Sequence, residues 1–403
     1  MNICILTRAT LTHQMGGTQV HCQVLSESAI ERGHSVTVIT TRHPYGLEYE
    51  ERQGCRIYYL TNTKFAHLNK LWWRESANKL TQLHKKNQFD IIWAENLAGY
   101  YYAWKVRPIL KIPIVSIIQG LGIMGIIRSE WDHISSFKEL FIFLGKRLPE
   151  VFFFYIPWFW RILRYSDVIV GVSDQTVEAL RREFSVDKRK IFVVYNGIDT
   201  TRFRPDKHRR EYIRKKFSLT EGDKVLLMAG VVHKQKGMHI GLKGFAQMRR
   251  EFSGIKMIVV GDGPHLAFLK ELARKLNIEN DVIFCGAVSN EEMCFYYNAA
   301  DLFLNPTIRG EGFGIVTAEA MASGLPSVVS CIGGTQSTID DGISGFFVEP
   351  KDINSLVKKS MEILSNSTLS KKMGEKAREK AIRNFSKERM IVDYLNISER
   401  LIS

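Results

Sequence analysis

The sequence holds no Asp-x-Asp pair and no His/Cys cluster at metal-ligand spacing, so nothing in it marks a divalent-metal centre. Its six cysteines, Cys4, Cys22, Cys55, Cys285, Cys294 and Cys331, include no Cys-x-x-Cys. Zinc-ribbon and thiol-redox signatures are therefore missing, and the cysteines read as small core residues of a reducing compartment. The opening MNICILTRAT carries too short an apolar run, and no cleavage pattern, for a signal peptide; it is expected as a first strand. No basic tail exists, because the net charge of +14 is spread evenly over the two halves. Gly261-Asp262-Gly263-Pro264 is not G-x-G-x-x-G, so it gives no dinucleotide signal and reads as a strand-to-helix turn.

What is present is a chain of 403 residues, too long for one ordinary core and expected to form two domains. Hydrophobic content of 45% and charged content of 24% are those of a globular protein. The basic surplus favours polyanions: nucleotides, phospholipid surfaces or nucleic acid. Strands expected at 3–7, 36–40, 90–93, 114–118, 167–172 and 191–194 alternate with helical patterns, and the same rhythm returns at 224–229, 256–260, 282–285, 301–304 and 326–330. This is the α/β pattern of parallel sheets. Lys207 to Lys216 is expected as a solvated helix face and Lys387 to Ile402 as an amphipathic helix.

The stretch NPTIRGEGFGIVTAEAMASG, Asn305 to Gly324, carries the densest chemistry. Helix formers follow Gly314, and Gly324-Leu325-Pro326 stops them, so a helix is expected from about Gly314. Its N-terminus offers unpaired N–H groups and a partial positive charge, and Gly312 and Gly314 let a ligand approach. That makes a phosphate seat at the helix N-terminus. Glu319 shares a helix face with Ile315, about 5 Å along, where a carboxylate suits a ribose diol. Glu311 sits in the loop on the other side.

Other candidates lie at loop positions. Gly16-Gly17 opens the helix of a first β-loop-α-β unit, where glycines admit a phosphate or substrate or simply make a tight turn. Glu95-Asn96 and Gln119-Gly120-Leu121-Gly122 close two strands at the edge where open α/β sheets bind ligands. The loop 230–237, with His233, Lys234 and Lys236-Gly237, gathers cations between an expected strand and helix, where they can meet a phosphate-bearing ligand. Backbone around Gly286 to Val288 is expected near a nucleotide base. Phe137 to Leu163 packs aromatics between Lys138, Lys146, Arg147, Arg161 and Arg164. Its longest uncharged run, Val151 to Trp160, has ten residues with Pro157 inside, too short to span a bilayer. It reads as an interfacial segment on anionic lipid, the alternative being a buried helix pair with snorkelling cations.

Taken together, the Gly16-Gly17 unit, Asn196-Gly197-Ile198-Asp199, Lys236-Gly237, Gly261-Asp262-Gly263-Pro264 and the E-x7-E segment resemble, in order, the family 4 retaining glycosyltransferases. The resemblance implies the GT-B fold, two Rossmann-like doubly wound domains facing across a cleft. Residues 1–195 would form an acceptor-binding domain with helix 386–403 packed back on it, and residues 196–385 a nucleotide-sugar-binding domain. It implies a metal-independent transfer of a hexose with retention, from a UDP or GDP sugar and with no further cofactor. Glu311 would contact the donor sugar, Glu319 the ribose, and Lys236 with the amides of Phe313 to Ile315 the diphosphate. Gly17 would line the cleft, and Gly16, Asn196, His233, Lys234, Gly286 and Val288 complete the donor set. Glu311, Lys236 and Gln119 are the catalytic candidates; Gln119 also stands at the acceptor, for which Glu95-Asn96 is an alternative polar group.

Two positions depart from the family pattern. Gln119 stands where the family usually has histidine, and it cannot shuttle a proton. Val231 stands where it has an arginine, for which His233 or Lys234 is the expected substitute. The aromatic segment favours a membrane-presented acceptor, a lipid-linked glycan or polysaccharide precursor, at the inner membrane face, with no nucleic acid as partner. A phosphorylase-like or sugar-phosphate synthase activity, or a catalytically lapsed basic binding protein, remain alternatives on the same fold.

Overall fold

The computed structural model describes residues 1–13, 16–120, 122–131, 137–252 and 254–403. The chain divides into two compact units, residues 1–197 with 387–403, and residues 198–386.

Within the described residues of the first unit, eight strands form one sheet: β1 (Asn2–Leu6), β2 (Ser35–Thr41), β3 (Tyr49–Arg52), β4 (Cys55–Leu60), β5 (Ile91–Glu95), β6 (Ile114–Ile118), β7 (Val168–Gly171) and β8 (Ile191–Val193). Their order is β3-β4-β2-β1-β5-β6-β7-β8, all parallel except the β3–β4 pair. The central strands are β-branched and buried along their length, as a sheet covered on both faces requires. Trp72, Leu80, Ile92 and Ile114 pack in one cluster, and Ile118, Phe159, Ile162 and Leu180 in another. The Lys387–Ile402 helix belongs to this unit, where Trp93 Nε1 donates to Ser398 Oγ at 3.0 Å and Lys387 pairs with Glu31 at 3.0 Å.

The second unit carries β9 (Lys224–Ala229), β10 (Ile255–Val260), β11 (Val282–Gly286), β12 (Leu302–Asn305), β13 (Ser327–Ser330) and β14 (Gly345–Val348). Their order is β11-β10-β9-β12-β13-β14, all parallel. Leu226, Met257, Leu302, Val328 and Phe245 centre its core.

Three features differ from expectation. The β3–β4 hairpin and β14 are additional strands; Tyr49 to Arg52 is polar and exposed, an edge strand held by β4 alone, so it shows no apolar alternation. The Lys207–Lys216 helix has the expected bounds, but it is not merely a solvated face. Arg214 is buried and donates to the carbonyls of Ala299 (3.1 Å) and Asp223 (2.7 Å), while Arg210 pairs with Asp301 at 2.9 Å. Guanidinium groups serve there because their forked donors satisfy several carbonyls at once.

The third difference is the aromatic segment, which forms continuous helical turns from Phe137 to Tyr165 with π turns at Phe143–Arg147 and Val151–Tyr155. Another π turn lies at Tyr102–Val106. Each ends two residues before a proline, Pro108, Pro149 or Pro157. Proline lacks the N–H for an i→i−4 bond and its ring crowds that carbonyl, so the preceding turn widens. All six cysteines are free; Cys4, Cys22, Cys55 and Cys294 are buried, whereas Cys285 and Cys331 are half-buried.

Candidate functional site

β9 and β12 are neighbours in the second sheet, so the loops leaving their carboxyl ends lie side by side. Gln235 fastens one to the other. Its carbonyl accepts from Ile308 N (2.9 Å) and Thr307 Oγ1 (3.1 Å), and its side-chain oxygen from Arg309 Nη1 (2.7 Å). Gly237 has φ 65°, and a Cβ there would fall 1.8 Å from the Pro306 carbonyl oxygen, so only glycine permits this approach. The result is that Lys236 Nζ meets Glu311 Oε2 at 2.9 Å. Glu311 Oε1 is buried with no hydrogen-bond partner among the described residues.

Glu311 is set by a second contact. Gly334 N donates to the Glu311 carbonyl at 2.7 Å, and a Cβ on Gly334 would lie 1.9 Å from Gly312 O. The Ile315–Ala322 helix then starts from Gly314, at φ 117°, where the composition places it. Phe313 turns its ring into the core, edge-on to Phe385 at 5.1 Å. Asn305 Nδ2 donates to Thr317 Oγ1 at 3.0 Å and ties the loop's beginning to the helix.

One turn beyond Ile315, Glu319 is only 4% exposed and accepts from Tyr297 Oη at 2.8 Å. Burial pushes its carboxyl up to about 7, against the Tyr297 hydrogen bond and the field of Arg202, which pull the other way. Tyr297 is itself fully buried, and burial beside this carboxylate holds its phenol well above the usual range.

In the loop opposite, His233 Nδ1 accepts from Gln235 N at 3.4 Å, so the ring caps the turn Lys234–Lys236. Lys234 is exposed, as is Val231. Behind them burial lowers His239 to about 4, helped by His265, Lys243, Lys234 and Lys351, and it also lowers His265. The His239 ring is neutral at pH 7. Gly286 has φ 71° and open space where a Cβ would stand; its carbonyl accepts from Gly261 N at 2.8 Å. Val288 follows, half-buried, in the loop after β11.

The remaining predicted residues belong to the first unit. Gly16 precedes the Gly17–Glu31 helix with extended backbone, φ 177°, that any residue adopts, and Gly17 opens the helix. Gln119 N donates to Asn96 Oδ1 at 3.0 Å, and Asn196 Nδ2 reaches Gln119 Oε1 at 3.5 Å, so three amides gather at the carboxyl edge of the sheet. Gln119 Nε2 and Asn196 Oδ1 are buried without partners among the described residues. Leu121, in the same loop, lies outside the described residues. Glu95 departs from its expected place at an acceptor: it is buried, with Oε2 accepting from Thr7 Oγ1 (2.5 Å) and Oε1 paired with His21 Nδ1 (3.0 Å). Both oxygens are spent on the fold, because a buried carboxylate without such partners is costly.

Gln235, Arg309, Tyr297 and Arg202 carry no sequence signal of a site. Gln235 stands between two lysines and Tyr297 is distant in sequence from Glu319; neither belongs to a spacing that marks a site. Among the described residues no three His, Cys, Asp or Glu side chains are gathered to hold a metal ion.

The profile described as Glycosyltransferase Family 4 matches residues 15–202, and that described as Glycosyl transferases group 1 matches residues 209–380. The chain belongs to the family 4 glycosyltransferases. An uncharacterized glycosyltransferase of Methanocaldococcus jannaschii is 25% identical over 375 residues, covering 91% of this chain and 90% of that one. The alpha-monoglucosyldiacylglycerol synthase of Streptococcus pneumoniae is 26% identical over 323 residues, covering 78% and 68%. Among solved structures, sucrose-phosphate synthase of Thermosynechococcus elongatus superposes with a TM-score of 0.83 at 20% identity, covering 100% of this chain and 99% of that one. HepE of Anabaena in complex with UDP gives 0.79 at 18% identity, covering 99% and 100%. The fold is GT-B, and the family 4 chain is a hexosyltransferase.

Proposed function

We propose that this glycosyltransferase moves a hexose from a UDP or GDP sugar onto a membrane-presented acceptor, with retention and without a divalent metal. The observation that carries the donor half is Glu319. A carboxylate buried with a single neutral donor is an expense the fold does not recover, and such groups cluster at functional sites. A ribose diol supplies the missing hydrogen bonds. Lys236, held against Glu311 in the loop that leads into this helix, meets the negative charge that grows on the departing diphosphate, together with the helix N-terminus. Glu311, with one oxygen on Lys236 and the other buried without a partner, would contact the donor sugar. The bond from the anomeric carbon to the diphosphate breaks, a bond to the acceptor oxygen forms, and the acceptor proton leaves with the diphosphate. Retention rests on the family likeness of the E-x7-E segment; the anomeric proton coupling of the product by NMR tests it.

The acceptor half rests on the helical segment Phe137–Tyr165. Phe137, Phe141 and Phe153 are 92%, 80% and 75% exposed, with Lys146, Arg147 and Arg164 exposed among them. The Lys138 side chain is outside the described set. An open groove of ≈ 420 Å³ between Ile156, Trp160, Arg161 and Phe184 adjoins this face. No helix of the described residues is long and apolar enough to cross a membrane. Aromatics with interleaved cations suit the headgroup region of anionic lipid. The HepE structure holds UDP and the pneumococcal relative is named for a glycosylated diacylglycerol, which support donor and acceptor classes of this kind.

The test is turnover of UDP and GDP sugars with lipid-extract and water-soluble acceptors. Transfer to lipid fits the reading. Transfer only to a hexose phosphate would move the chain to the sugar-phosphate synthase alternative, and no transfer with retained anionic-vesicle binding to the lapsed binding protein.

A further inference from the structure

We propose that Tyr297 is a positioning residue that holds Glu319 by one oxygen and eases its ionisation, with the other oxygen left for the ribose. Binding of a nucleotide sugar is thereby coupled to loss of a proton from Glu319. The inference rests on the donor reading above, and it adds a residue and a pH response that reading does not contain.

The geometry comes from two packed helices. Tyr297 lies on Met293–Ala299 and Glu319 on Ile315–Ala322, and the phenol donates across the interface at 2.8 Å. Tyr297 is 1% exposed and Glu319 4%, so neither has water to fall back on. The Tyr297 ring is wedged edge-on between Phe203 (5.9 Å) and Phe303 (5.8 Å), which leaves its hydroxyl one direction to point. A phenol whose own ionisation is suppressed by burial is a fixed donor, and a fixed donor favours the acceptor that carries charge.

The charged groups that face this carboxylate are few. Arg202 acts through its field, and no lysine, arginine or histidine among the described residues lies within ion-pair distance of it. On the Ser367–Phe385 helix that packs against the site, Arg378 is committed to the carbonyls of Phe203 and Ala322. Glu319 is therefore an ion held chiefly by one neutral hydrogen bond. Without ligand its proton is easily regained, because burial raises the carboxyl towards neutrality. A ribose diol offering two further donors favours the ionised form and expels that proton.

The experiment is calorimetric titration of UDP-glucose and GDP-mannose into the full chain from pH 5.5 to 8.5, in buffers of different ionisation heat. Sugar nucleotides are diphosphate diesters that do not titrate in this range, so the ligand contributes no proton of its own. Wild type, Tyr297→Phe, Glu319→Gln and Glu319→Ala are compared. The expected result is an affinity that rises roughly tenfold per pH unit below an inflection near neutrality, with a proton released on binding. Tyr297→Phe should move that inflection up by about one pH unit while the affinity at high pH changes little. Glu319→Gln should abolish the slope and the proton release.

A flat wild-type profile in which Glu319→Ala still loses binding overturns the proton coupling and leaves the donor reading intact. Equal inflections in wild type and Tyr297→Phe, with the variant folded by its melting curve, overturn the role of Tyr297. If neither sugar nucleotide binds wild type at any pH, the donor reading fails and the inference with it.

Discussion

Glu319→Gln should stabilise this protein while weakening its function, and the size of the effect follows from burial. The carboxyl ordinarily titrates near 4.5 and is pushed up to about 7 in the fold. Because the folded state holds the proton more tightly than the unfolded one, stability is greatest below pH 4.5 and falls as the pH rises through 7. Above that point the ion costs the fold about 3 kcal/mol, at 1.36 kcal/mol for each pH unit. Glutamine keeps the shape, stays neutral and still accepts from Tyr297. At pH 8 the variant should therefore melt on the order of 5 to 10 °C higher than wild type, and at pH 5 the difference should shrink to about 1 to 2 °C. Differential scanning of both proteins without nucleotide at the two pH values decides the matter. A variant that is less stable at pH 8, or a gain that does not change with pH, would refute the reasoning, because it would mean the folded protein already satisfies the ion.

Other consequences can be checked separately. Lys236→Ala removes the cation from Glu311 and from the departing diphosphate, and turnover should fall roughly 10²- to 10³-fold with the melting temperature little changed. Gly237→Ala should separate the two loops, since its Cβ would collide with the Pro306 carbonyl at 1.8 Å; initial-rate kinetics should show kcat reduced more than the fold is destabilised. Arg214→Ala leaves the Ala299 and Asp223 carbonyls unpaired in the interior, and urea unfolding should show a loss of about 3 kcal/mol. Replacing Phe137, Phe141 and Phe153 together by Ser should abolish sedimentation with phosphatidylglycerol vesicles without altering the melting curve; retained sedimentation would remove the aromatic face from the account.

Much of the fold was legible because its strands and helices obey simple periodicities. The buried β1, β6 and β9 runs, the Lys387–Ile402 helix and the start at Gly314 were all visible in residue pattern. What escaped had local chemistry that imitates something else. Tyr49 to Arg52 reads as polar loop because an edge strand buries little. Arg214 reads as one cation in a solvated run, and only the carbonyls gathered around it in space reveal a structural role. The prolines at 108, 149 and 157 announce interruptions, but that each is preceded by a widened turn is a matter of backbone accommodation.

The candidate site divides in the same way. Glu311, Glu319 and Lys236 stand in recognisable spacings, and the first and last meet at 2.9 Å. Gln235 and Tyr297, which hold them, carry no spacing at all, since their roles depend on neighbouring strands and packed helices. Glu95 was misplaced for the opposite reason. A carboxylate at the carboxyl edge of a parallel sheet is a reasonable ligand, but His21 and Thr7, both far away in sequence, close over it.

The central claim is that the second unit holds a nucleoside diphosphate through Glu319 and Lys236. Thermal unfolding of wild type and Glu319→Ala with UDP, GDP, ADP, CMP and dTDP, each with and without a sugar, tests it most directly. A ligand present at 100 times its dissociation constant adds about 2.7 kcal/mol to folding. The account predicts that UDP or GDP raises the melting temperature of wild type and leaves Glu319→Ala unmoved. Equal shifts in both proteins, or no shift with any nucleotide, would contradict it.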